Sequence, residues 1–333
     1  MKQIKSFAMK EKNKAILFLI FFAPFVGEGL SMSTPAIAWL DPLVIILLVF
    51  LYGFGALIMR EFLIKWEKGS EGYVSLLFLG AAYGIIEEGL FLMSFFNPLW
   101  EDVGILGIYG RYFGVNWIWV VELMIFHMIY SITIPIVLTH IAFPQVKEES
   151  WLDKKSFLLI LVIFISCAPI WMTFVISTYN YIPGMVEYVG FLILTGVLIL
   201  IAKKAPSNIL KKKEVEAPGF KLYFFLGLIW AVGFFAIAWF PPILQINPII
   251  PLFLMPAFSL FIIWVILNTS GNGYALNEEN TLALIIGAIS FLLFLLLVVD
   301  ILSFMIFGTS CVLIFALIII KVKKGGENLK REL

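Results

Sequence analysis

The sequence predicts an all-α, polytopic transmembrane helical bundle of about ten spans. Three observations carry that prediction. Of 333 residues, 62% are hydrophobic and 14% charged, and the mean hydropathy is +1.04. Soluble domains carry about 25% charged residues, so this chain lacks the polar surface a globule in water needs. The apolar residues also fall in runs of about 20, the length of helix that crosses a hydrocarbon core. Finally, the runs lack the alternating polar positions of a barrel strand, and inside lipid only helices or closed barrels satisfy the backbone.

Taken in order, polar breaks separate apolar runs at 15–30, 43–59, 73–95, 117–139 and 157–176, then 185–202, 222–240, 249–267, 282–299 and 301–320. The last two form nearly continuous apolar sequence and are divided at Asp300, because together they are twice a membrane thickness. Basic residues accumulate in cytoplasmic loops. With the amino terminus inside, the N-terminal arm holds 5, residues 60–68 hold 3, 147–155 hold 3, 203–221 hold 6 and the tail from Lys321 holds 5. The alternate loops hold only Arg111. Both termini are therefore expected in the cytoplasm and the span count even, with the chain a multi-pass protein of the cell membrane.

The first segment also has features of a secretory signal, a Lys-rich start and an apolar stretch followed by Pro35-Ala36-Ile37-Ala38. A retained first helix is the reading adopted for a polytopic chain. Cys167 and Cys311 both sit in apolar runs, without a CxxC pair or disulfide framework. The net charge of +1 implies no general affinity for nucleic acid. Domain organisation follows the longest polar segment, KKAPSNILKKKEVEAPGFK at 203–221. It separates a six-helix half (1–202) from a four-helix apolar half (222–333). Its lysines suit anionic lipid headgroups.

Chemistry is confined to the first half. Glu28, Glu87, Glu88 and Glu122 lie in or at the edge of spans, and His127 lies near the middle of the fourth. Each ionisable group at membrane depth costs about 2.5–3.5 kcal/mol on insertion scales and normally faces the bundle interior. In the predicted topology, Glu87 and Glu88 occupy the outer half of the third span. Glu122 lies about 7–8 Å and His127 about 15 Å below the outer end of the fourth. Glu28 is near the outer end of the first, and Arg111 is in the loop 97–116. On an α-helix Glu87 and Glu88 are about 100° apart, so one should look toward a second neighbour. Glu122 and His127, about 140° apart, cannot share a face, whereas Ser131 follows His127 by one turn. His127 is thus expected to meet Glu87 or Glu88, and Glu122 to meet Arg111 as an ion pair. Glu122 and Glu28, nearer the interface, are expected to reach water, and His140 to be interfacial. The loop 97–116, with its glycines and aromatics, reads as an interfacial anchor or as a lid with Arg111 pointing down. Four carboxylates against one arginine and one histidine need protons, hydration or a bound cation. Adjacent acids of this kind suit general acid–base work.

At AYGIIEEGLF the sequence resembles the first motif of the CaaX-protease and bacteriocin-processing family of intramembrane proteases, a double glutamate on a membrane helix followed by phenylalanine and arginine. Glu87, Glu88 and Phe91 match it, and Leu92 stands at the arginine position. The family's second motif, phenylalanine four residues before histidine, reads Leu123 to His127; its third, histidine four residues before asparagine, has no match. The resemblance implies an all-helical hydrolase in which Glu87 or Glu88 is the base for water and His127 its partner, with a divalent metal as an option rather than a requirement. Its substrate would be a membrane-embedded peptide. The residues alone are equally consistent with a proton- or cation-coupled transporter using the same acids, or with a non-catalytic scaffold holding a buried polar lock.

Overall fold

A computed structural model describes residues 2–206, 212–216 and 218–332, and these form an all-α bundle with one short hairpin. Helix α1 covers Lys2–Pro24 and continues through a π-helical turn, Phe25–Gly29. There follow α2 (Pro42–Lys65), α3 (Tyr73–Phe91), α4 (Trp117–Ala142), α5 (Lys154–Tyr179) and α6 (Met185–Lys204). Then come α7 (Phe220–Ile243), α8 (Ile249–Thr269), α9 (Glu278–Val299) and α10 (Ile301–Lys323). Among the described residues, α2 to α10 are the 9 helices long and apolar enough to cross a membrane. Helix α1, the first of the ten expected spans, runs beside them from Lys12 at the basic end to Glu28 in the outer half, and falls outside that set by composition alone. Lys12, Lys14 and Glu28 interrupt its apolar length, yet its Ala15, Leu19, Phe22 and Ala23 are buried in the bundle.

The helix ends follow from local chemistry. Asp41 caps α2 by accepting from Leu43 N at 2.9 Å, with Pro42 at the first position where a missing N–H costs nothing. Asp153 caps α5 through Ser156 N at 2.7 Å. The long apolar run does divide at Asp300, which ends α9 and accepts from Leu302 N and Ser303 N, both at 3.1 Å, to start α10.

The basic segments gather at one end of the bundle. Lys12 pairs with Glu149 at 2.7 Å and donates to Ser150 O, Lys65 donates to Ser150 Oγ, Lys68 to Ala205 O, and Lys321 to Ala142 O. Residues 207–211 and 217 of the loop expected to meet anionic lipid lie outside the described residues. Arg60 is not a loop residue as its place among the basic counts suggested: it is fully buried near the inner end of α2.

Helices α3 and α4 form the centre. Of their most apolar stretches 78% and 72% are buried, against 56% for α2 and 17% for α5 and α6, so these two can hide ionisable groups from lipid along most of their length. In the C-terminal half, α7 and α9 approach through two glycines: a side chain at Gly227 would meet the backbone of Leu284 and Ala288, and one at Gly287 that of Phe224 and Leu228.

Candidate functional site

The same kind of close approach builds the polar cluster. Gly80 and Gly84 are one turn apart on α3. A Cβ at Gly80 would lie 2.8 Å from Met128 Cα, and one at Gly84 3.1 Å from His127 Cβ and 3.2 Å from Leu123 O. The absence of side chains there lets α4 lie against α3 and sets His127 beside the glutamates. Sequence reading missed this signal: Gly80-x-x-x-Gly84 is a small-residue notch of the kind that packs membrane helices.

A second device is the π-helical turn. Five such turns occur among the described residues, and four carry the cluster: Phe25–Gly29 holds Glu28, Val49–Gly53 holds Tyr52, Ile85–Phe91 holds Glu87 and Glu88, and His127–Thr133 holds His127 and Ser131. A π turn inserts a residue into the helix and re-aims the side chains around it, and such turns concentrate at functional sites. Here one corrects the α-helical angle argument. Glu87 and Glu88 do not serve different neighbours; they address the two nitrogens of one imidazole.

His127 Nε2 lies 3.2 Å from Glu88 Oε1, and Nδ1 lies 3.2 Å from Glu87 Oε2 and 2.9 Å from Ser131 Oγ. Glu88 is further held by Ser94, whose hydroxyl donates to Oε2 and accepts from Trp119 Nε1 at 3.1 Å. Glu87 is different. Its Nδ1 contact is at ion-pair distance but lacks hydrogen-bond alignment, and neither of its oxygens has a hydrogen-bond partner, although the residue is 0% exposed. The hydroxyl of Tyr83, whose ring centroid is 5.9 Å from that of the imidazole, is also buried and interacts with the Glu87 carboxylate without forming an aligned hydrogen bond. Buried polar atoms are nearly always bonded, so these three, which lie together without an aligned hydrogen bond, leave capacity for a proton or a small occupant.

Glu28 joins from α1. Tyr52 OH donates to its Oε1 at 2.5 Å and Thr34 to its Oε2 at 2.5 Å, and the Tyr52 ring centroid lies 6.0 Å from that of His127. It is half-buried, at the edge of the cluster. Tyr52, Tyr83, Ser94 and Trp119 were not anticipated. Uncharged residues in apolar runs carry no penalty large enough to stand out, although tyrosine so deep in a span is a usable clue.

Two expected partners do not meet. Arg111 gives its guanidinium to backbone carbonyls, Nη1 to Phe96 O at 2.6 Å and Gly114 O at 3.1 Å, and Nε to Gly107 O at 2.9 Å. It neither pairs with an acid nor points down over the cluster. It sits in a hairpin of β1 (Arg111–Tyr112) and β2 (Val115–Asn116), and its job is to hold the loop joining α3 to α4. Phe113 at the hairpin tip is 90% exposed, as an interfacial anchor requires. Glu122 accepts from Trp239 Nε1 of α7 at 2.6 Å and is 2% exposed, so it is a buried helix-to-helix contact rather than a water-reaching acid. His140 is buried too, its Nε2 3.4 Å from Arg60 Nε. The sequence misplaced it because loop residues 144–152 fold back over the inner end of α4.

Charge decides what the cluster can hold. Glu28, Glu87 and Glu88 face one imidazole, and among the described residues no lysine or arginine pairs with them. Uncompensated buried carboxylates are strongly destabilising, so protons or a cation must supply the missing positive charge. One ligand atom from each of Glu87, Glu88 and His127 lies within 4.8 Å of the other two. Two carboxylates and an imidazole are a hard-to-borderline donor set suited to a divalent first-row cation, and the unpartnered oxygens of Glu87 fit that occupant. A wide cleft between the two halves of the chain lies elsewhere; none of these three residues lines it. In comparisons with models of protein families, with curated proteins and with solved structures, nothing matches this chain.

Proposed function

We propose that this multi-pass membrane protein is an intramembrane hydrolase of the cell membrane acting on a membrane-embedded peptide, with Glu87, Glu88 and His127 as its reacting centre. The observation that carries this reading is the contrast within the cluster. Glu88 and His127 are locked by Ser94, Trp119 and Ser131, while Glu87 beside them, whose Oε2 lies 3.2 Å from His127 Nδ1, accepts no aligned hydrogen bond in a buried place. A general base needs that combination: a fixed neighbour to set its charge and a free lone pair for a water proton. Glu87 takes a proton from water as oxygen adds to the carbonyl carbon, then passes it to the leaving nitrogen as the C–N bond breaks. His127, held between the two carboxylates, steadies the charge that moves. Glu87, Glu88 and His127 are also the residues that would hold a divalent cation, and such a cation supplies Lewis acidity together with the missing positive charge. The likeness of Glu87, Glu88 and Phe91 to the double-glutamate motif of CaaX-type intramembrane proteases supports the same class.

The test is cleavage of a pool of fluorogenic membrane-spanning peptides by the purified protein in nanodiscs. Cleavage is expected for the wild type and lost in Glu87→Gln and in His127→Ala, each with unchanged helix content. A folded wild type that cleaves none of the pool, with or without added Zn²⁺ or Mn²⁺, overturns the proposal.

A second reading, a proton- or cation-coupled carrier, is favoured by closure: Glu87 is 0% and His127 2% exposed, as an occluded ion site would be. Proteoliposomes separate the two. A carrier dissipates an imposed pH or cation gradient, stops doing so in Glu87→Gln, and keeps more of its flux in His127→Ala.

A further inference from the structure

A cleft of about 720 Å³ lies between the two halves of the chain. Leu77 of α3 and Met128 and Ile129 of α4 wall one side; Trp230 of α7, Ile262 of α8 and Ile285 of α9 wall the other. It faces away from the glutamate cluster, because Met128 and Ile129 project from a different side of α4 than His127. Its mouth is at the inner, basic end, where Lys68, Ser70, Glu71 and Glu148 form the rim.

We infer that this cleft is a binding site for one phospholipid of the inner leaflet, with its acyl chains in the shaft and a zwitterionic, ammonium-bearing headgroup at the rim. Three observations carry it. First, the polar groups of the shaft are few and mostly spent on the protein itself. The hydroxyl of Thr133 is spent on Met128 O at 2.6 Å and that of Thr281 on Asn277 O at 2.9 Å, while Trp230 Nε1 donates to Ser259 Oγ at 3.1 Å. An apolar cavity of this kind stays dry, and at membrane depth the apolar matter at hand is lipid chain. Second, polarity changes along the cleft as it does along an amphiphile, from apolar shaft to charged rim, within the span of single helices. Third, the rim charges are mixed. Lys68 uses one donor on Ala205 O at 2.5 Å and keeps two for a phosphate. Glu71 and Glu148 supply carboxylates for an ammonium, with Glu148 already steadied by Ser70 N at 3.0 Å and by the Ser70 hydroxyl. Among the described lining residues, an anionic headgroup would instead meet two carboxylates for one lysine.

Trp230 in the wall gives the readout. The full-length protein in detergent micelles is titrated with phosphatidylethanolamine brominated on its chains, and the Trp230 share of fluorescence is taken as the difference from Trp230→Phe. Saturable quenching of that share is expected. Ile129→Phe and Ile285→Phe, placed on opposite walls so that one survives if the other misfolds, should each abolish it while the thermal transition is kept. Lys68→Gln should weaken it about fivefold, the worth of one headgroup lysine. Quenching that never saturates, or that persists in a folded cleft-filled variant, overturns the proposal. So does equal or tighter binding of brominated phosphatidylglycerol or of a brominated free fatty acid, because the rim would then not be reading an ammonium-bearing headgroup. A second copy of the chain in the cleft would show as quenching that falls when protein concentration rises, and would overturn it as well.

Discussion

Two buried polar clusters, one toward each end of the bundle, use nearly the same residue types and are put together on opposite principles. The inner one joins Arg60 and Glu61 of α2 to His140 of α4 and the loop before α5. Arg60 Nη1 meets Glu61 Oε1 at 2.6 Å, Nη2 donates to Lys147 O at 2.6 Å, and the guanidinium stacks 3.6 Å over Trp151. Glu61 also accepts from Trp151 N at 2.9 Å and Ser150 Oγ at 2.6 Å. Charge balances, and none of the buried atoms without a partner belongs to it. The outer cluster has more acid than base and leaves Glu87 Oε1, Glu87 Oε2 and Tyr83 OH without an aligned hydrogen bond. Both have glutamate and a buried histidine at their centre, and what distinguishes them is the inner arginine and the hydrogen bonding it completes. A completed network ties a loop to a helix, whereas an incomplete one has capacity left for a proton, a cation or a reacting water.

The largest expected effect tests the inner side of this contrast. Arg60→Met leaves Glu61 buried without its main counter-charge, which costs about 3–5 kcal/mol and should lower the thermal midpoint on the order of 10 °C. Adding Glu61→Leu to it should restore part of the loss. Equal melting of Arg60→Met and wild type would show that the inner network is not a lock.

Next in size is cation binding at the outer cluster. A divalent cation at a hundred times its Kd should stabilise the wild type by about 2.7 kcal/mol, and a chelator should reverse this. Glu87→Gln should melt at or above the cation-free wild type, since it removes an unpaired acid, and should show no cation-dependent shift. A shift that survives in both Glu87→Gln and His127→Ala would place the cation elsewhere.

Smaller again is Tyr52→Phe, which strips Glu28 Oε1 of its donor at 2.5 Å. An unpaired buried acceptor costs about 1–3 kcal/mol, so a drop of a few degrees is expected, with cation binding retained. Loss of the cation shift in this variant would mean that Glu28 is part of the reacting centre rather than its edge.

The smallest effect concerns pH at the loop of the inner lock, which ends on Asp153. Hydrogen bonds from the backbone N–H and side chain of Ser156 hold the Asp153 carboxyl below the usual carboxylate range. A depressed folded-state pKa contributes stability above the unfolded value of about 3.9, and that stability is lost as pH falls through the folded value. Asp153→Asn should flatten this acid-side slope by about 1 °C or less in midpoint while leaving neutral-pH melting nearly unchanged.

Several features were legible before any coordinates. Asp300 divides the last apolar run because its carboxylate caps the next helix, a local rule. Glu87, Glu88 and His127 stood out because each is costly at membrane depth, and Ser131 because it follows His127 by one turn. What stayed hidden depended on partners far apart in sequence. Trp239 answers Glu122 across 117 positions, and His140 finds Arg60 across 80. Arg111 looked like a counter-ion because its charge was counted, whereas backbone carbonyls in its own loop compete for the same donors and lie nearer.

The sequence by itself determined the environment. Runs of about 20 apolar residues must be helices in lipid, whatever they pack against, because the backbone has nothing else to bond. It also determined which few residues are too polar to face that lipid. Only the tertiary structure decided that two glutamates share one imidazole while a third acid turns to a tryptophan. That outcome rests on helix crossing at Gly80 and Gly84 and on π turns that shift side-chain direction, and both depend on how neighbouring helices fit rather than on the period of any one of them.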